Sequence, residues 1–185
     1  MYYVLEDDNS VRKVRHLNYS GGDGWGIDFM RGNELPAPGS PDQLYAHFEC
    51  NRLDLPEFFE VSGVPVATEK LIHALESANA NFQAFPIHLE FEDAKVHGYF
   101  VFNIVGRIRA IDKEATRCRM FGPSIARLFD LKLNLEATEG RSAFRDASYQ
   151  DIIFIDDRVK SAIEEQQIQG CAIRAADGWS DAHRF

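Results

Sequence analysis

The chain has 185 residues, 45% hydrophobic and 12% aromatic, which is enough for one sizeable core and too rich in aromatics for a disordered chain. Its 29 acidic and 20 basic side chains leave a net charge of −9, which repels nucleic-acid phosphates and argues against a nucleic-acid partner. No stretch approaches about 18 consecutive apolar residues, so no membrane span is expected.

Tyr2 to Leu5 reads as a short strand. The N-terminus has neither a basic n-region nor a long apolar h-region, so a secretory signal is not expected and a cytoplasmic location is. Residues 18–26 hold Gly21, Gly22, Gly24 and Gly26 and form a loop, while Pro36, Pro38 and Pro41 forbid a regular element over 35–42. The first 45 residues are thus loop-rich, with two short strands.

Leu44 to Cys50 and Phe58 to Val61 read as strands. Thr68 stands as N-cap to a helix over Glu69–Ala78, whose Leu71, Ala74, Leu75 and Ala78 share one apolar face. Phe85, Ile87, Leu89 and Phe91 alternate with Pro86, His88, Glu90 and Glu92, a half-buried strand that Pro86 places at an edge or a bulge. Glu92-Asp93-Ala94-Lys95 forms a hairpin tip, and the apolar run Tyr99 to Ile104 is a central strand covered on both faces.

Arg119 to Phe121 adds a short strand. Gly122-Pro123-Ser124 opens a brief helix with Ile125, Leu128 and Phe129 turned inward, and Phe129 to Leu135 alternates as a strand. Asp156 caps a helix over Asp157–Gln167 with Val159, Ala162 and Ile163 inward. Gly170 closes it, and Cys171 to Ala175 returns as a strand.

The two helices echo one another. Val66 to Glu76 parallels Phe154 to Glu164 in cap, first-turn acid and apolar positions, 88 residues apart. Two strand–helix–strand units give one α+β domain over 1–185, mainly antiparallel, with two principal amphipathic helices.

Chemical signatures are sparse. Cys50, Cys118 and Cys171 are far apart and form no CxxC pair, so buried reduced thiols are expected rather than a disulfide or metal framework. Gly21-Gly22-Asp23-Gly24-Trp25-Gly26 lacks the last glycine of a dinucleotide fingerprint, with Ile27 in its place, and no phosphate-binding lysine follows. HExxH, GxSxG and SxxK are absent. His88, Glu90 and Glu92 on one strand face, with His97 across the hairpin, could hold a metal; a solvated polar face is the plainer reading. No catalytic residue, metal ligand or cofactor is assigned.

Several stretches together resemble a known family. They are Tyr2-Tyr3-Val4-Leu5, then Val61-Ser62-Gly63-Val64-Pro65-Val66 with the helix through Glu76, then Asn81 to Ile87, and finally Ile153 to Ile163 with Gly170-Cys171. They resemble the myxococcal-type immunity proteins of bacterial polymorphic toxin systems. The resemblance implies a non-enzymatic cytoplasmic antidote that binds a cognate secreted toxin and occludes its active site or substrate surface. It supplies no functional residues. From exposure, Asp23, Glu90, Glu92 and Asp93 are the acidic groups placed to meet a basic toxin, and Trp25 or Phe91 the anchor. Two other classes compete: a metal-dependent hydrolase built on His88, Glu90 and His97, and an adaptor with no toxin.

Overall fold

The computed structural model describes residues 1–8, 16–19, 29, 31–36, 44–48, 50–51, 54–61 and 63–184. Among these, the chain runs β1 (Tyr2–Asp7), β2 (His16–Tyr19), β3 (Leu44–His47), β4 (Phe58–Val61), β5 (Val64–Thr68), α1 (Glu69–Ser77), β6 (Phe82–Glu90) and β7 (Lys95–Ile104). It continues through β8 (Arg107–Ile108), β9 (Arg117–Phe121), β10 (Ser124–Asp130), β11 (Ala143–Asp146), β12 (Tyr149–Asp156), α2 (Asp157–Glu165) and β13 (Cys171–Ala175). The strands form a six-stranded sheet β2-β3-β6-β7-β5-β4, a five-stranded sheet β13-β1-β12-β11-β8 and the two-stranded hairpin β9–β10. Pairing is antiparallel except for β3 with β6 and β8 with β11. This is the α+β, mainly antiparallel architecture with two helices that the patterning predicts.

The 88-residue echo is a repeat in three dimensions. In the larger sheet β5, α1 and β6 form a parallel pair of strands joined by a helix, with antiparallel β7 between them. In the other sheet β12, α2 and β13 repeat that arrangement around β1. The helix ends match bond for bond. Ala80 N–H donates to Leu75 O and Asn79 N–H to Glu76 O; 88 residues on, Ile168 N–H donates to Ile163 O and Gln167 N–H to Glu164 O. Both are Schellman closures, with Asn79 and Gln167 in the left-handed region at φ 52°. The contacts β1–β4 and β7–β11 exchange under the same relation.

Three apolar layers follow. The central one joins the units: Leu71, Leu75, Val159 and Ile163 of the helices meet Phe102, Leu5, Ile153 and Ile155 of both sheets. Burying each such side chain contributes about 1.5–3 kcal/mol, so the joint between the units is a main source of stability. The outer face of the larger sheet is covered by Phe29, Leu35 and Phe48. That of the smaller sheet is covered by Leu128, Leu131 and Trp179.

Local details depart from the sequence reading. Residues 124–130 are a strand, not a brief helix, because Gly122 at φ 59° followed by Pro123 gives a type II′ hairpin turn. Phe129 is consequently exposed rather than turned inward. Beyond Asp130 the alternating leucines make only an isolated bridge, Ile111 to Leu133, and Leu135 lies in the open. Asp156 caps α2 through Arg158 N–H (2.9 Å) and Val159 N–H (3.3 Å). Thr68 holds the corresponding position, but its hydroxyl is buried and has no partner among the described residues. Gly170 does not end α2; it stands at φ 89°, where an added Cβ would lie 2.0 Å from Phe58 O.

Candidate partner-binding surface

The β6–β7 hairpin end is built by close pairing on both sides. Phe48 N–H donates to Glu90 O (2.8 Å), Phe91 N–H to Ala94 O (2.8 Å) and Glu92 N–H to Cys50 O (3.1 Å). The turn is thereby fixed, and it presents Glu92 and Asp93 to solvent. Phe91 is only 6% exposed, its ring stacked on Phe48 at 4.5 Å. It supports the turn from below and offers no free aromatic face. Asp23 and Trp25 lie outside the described residues.

Glu90 is committed within the fold. Lys95 Nζ lies 2.8 Å away and His88 Nε2 3.2 Å. The Lys95 hydrogen bond, opposed by desolvation and helped by His88, holds its carboxyl below the usual range. His88 keeps the face of Glu90 that alternation predicts, yet it is buried rather than solvated, because the Tyr45 ring of β3 stacks on it. His97 lies with its ring 6.0 Å from that of His88, across a shallow cleft lined by Pro86, Gly98 and Tyr99. Among the described residues, no three His, Cys, Asp or Glu side chains converge closely enough to hold a metal.

Cys50, Cys118 and Cys171 are free and partly buried. Burial pushes the Cys171 thiol up to about 12, helped by Asp8 and Glu57. A thiol with so little thiolate is a poor nucleophile at neutral pH.

A second surface escaped the sequence reading. The β9–β10 hairpin carries Arg117, Arg119 and Arg127 together with exposed Phe121 and Phe129. The signal was present as Arg117-Cys118-Arg119, an alternation that sets both arginines on one strand face.

A family model described as the immunity protein family Imm11 matches residues 12–177. The chain belongs to the Imm11 family. The match covers both strand–helix–strand units and both charged hairpins of this Imm11 protein. It agrees with the immunity-protein resemblance read from the segments around α1 and α2. No curated protein matches the chain. Among the described residues no helix is long and apolar enough to cross a membrane.

Proposed function

We propose that this protein neutralises a cognate secreted bacterial toxin by binding it stoichiometrically in the cytoplasm and covering its active site or the surface its substrate must reach. Membership of the Imm11 immunity family over residues 12–177 is the observation that carries this reading. Chemistry of shape and charge supports it: a net charge of −9 and a rigid turn holding Glu92 and Asp93 outward favour encounter with a basic surface. The toxin-facing residues we assign are Asp23, Trp25, Glu92 and Asp93, with Glu90 and Phe91 holding the turn.

The test is co-expression with the toxic domain encoded beside this chain. The expected result is restored growth and a complex that co-purifies. Unrelieved toxicity with no complex overturns the reading.

A further inference from the structure

The β9–β10 hairpin has one face inside and one outside. Ile125 and Leu128, with partly buried Cys118, join the apolar layer against Phe154 and Trp179. The hairpin is pinned there by Ile125 N–H to Ser148 O (2.8 Å) and Leu128 N–H to Asp181 Oδ2 (2.8 Å). The outer face carries Arg117, Arg119, Phe121, Arg127 and Phe129, all exposed. Phe121 at the turn is 81% exposed and Phe129 39%.

The charges on this face are not balanced within the fold. Arg119 lies directly opposite Arg127 in the strand register, a like-charge pair that costs stability. Asp130 lies opposite Arg117, yet its carboxylate pairs with Lys132 at 3.3 Å. Among the described residues none of the three arginines makes an ion pair; Arg117 and Arg127 instead flank the Phe129 ring at 6.0 and 5.6 Å. Lys113 Nζ, 2.9 Å from Pro123 O, adds a fourth cation at the turn. A chain with nine excess acids thus sets three arginines and two exposed phenyl rings on one hairpin, with Lys113 beside its turn. Arginine and aromatic side chains grouped in this way are the residues that anchor protein interfaces, and local costs without local benefit mark functional surfaces.

We infer that the outer face of β9–β10 docks a carboxylate-rich patch of the cognate toxin, with Phe121 seated in an apolar recess at its centre. This rests on the toxin-neutralising reading and adds the chemistry of the contact. A protein is favoured over a nucleic acid because the chain's overall field opposes a phosphate backbone.

The experiment titrates the adjacent toxin domain against wild type, R119Q/R127Q, R119E/R127E and F121A, with a single-stranded oligonucleotide as second probe and thermal unfolding as the folding control. Wild type binds the toxin, more weakly as salt rises. R119E/R127E weakens binding by about 100-fold or more and F121A by about 10-fold or more. R119Q/R127Q falls between, and its unfolding temperature stays at or above wild type because the like-charge pair is gone. Toxin binding unchanged in all variants overturns the docking inference and leaves the immunity reading standing. Oligonucleotide binding that requires the arginines overturns the protein assignment. Failure of wild type to bind the toxin overturns both.

Discussion

Asp146 accepts four hydrogen bonds in the interior, and removing it is a quantitative test of how the β9–β10 hairpin is supported. It is fully buried at the end of β11. One carboxylate oxygen accepts from Ala110 N–H (2.8 Å) and Ile111 N–H (2.9 Å). The other accepts from Ser148 N–H (2.7 Å) and Ser148 Oγ–H (2.6 Å). The first pair fixes the segment leading to Asp112, whose side chain caps the turn before β9 through Glu114 and Ala115 N–H. Asp146→Ala leaves two backbone donors of buried residues without an acceptor, at about 1–3 kcal/mol each, so the loss is about 4 kcal/mol. For a chain of this size that lowers Tm by about 8–16 °C. Asp146→Asn keeps one oxygen but turns an NH2 toward donors, and costs about 2–3 kcal/mol. Ser148→Ala removes one hydroxyl and costs about 1 kcal/mol or less. Thermal and urea unfolding measure all three. An Asp146→Ala protein within about 1 kcal/mol of wild type would refute this account of the carboxylate.

Three further outcomes are expected. Gly170→Ala forces a Cβ to 2.0 Å from Phe58 O and 2.8 Å from Pro56 Cβ at a positive φ, so unfolding measurements should show a loss of about 3 kcal/mol or more. Phe91→Ala empties the stack on Phe48 and costs about 3–5 kcal/mol by the same assay; a neutral result would mean that the ring is not part of the core. Glu57 has its carboxyl raised by burial but lowered more by Lys70 and Gln169 N–H, leaving it below 4.5. A depressed folded value gives stability that is present above the unfolded pKa and lost as pH falls through the folded one. Glu57→Gln should therefore flatten the acid limb of the stability profile below about pH 4.5 and leave the slope at neutral pH unchanged.

The legible parts of the fold are those where one period governs a whole element. Leu71, Ala74 and Leu75 in α1, and Val159 and Ile163 in α2, follow the helical repeat against a common core, and the caps sit where the pattern changes. The misreading of β10 has a physical cause. β10 has register shifts after Ile125 and after Leu128, so its inward residues fall three apart and imitate a helix. A bulge changes the spacing without changing the residue types, so periodicity alone cannot expose it. His88 keeps the face that alternation gives it, and is buried there by Tyr45, a residue distant in sequence. Thr68 and Asp156 occupy equivalent caps, but only Asp156 bonds the helix. At the surface, exposure logic found the carboxylates of the β6–β7 turn. It took Phe91 for an exposed anchor, although the alternation with Phe85, Ile87 and Leu89 already sets it on the buried face, where it stacks on Phe48.

We propose that this protein acts by occupying a toxin and not by altering it. Titrating purified protein into a fixed amount of the adjacent toxin domain while following the toxin's own activity tests this directly. Residual activity should fall linearly and vanish near one equivalent, with the toxin recovered at unchanged mass. Full activity at excess protein, or complete inactivation at a small fraction of an equivalent, would contradict it.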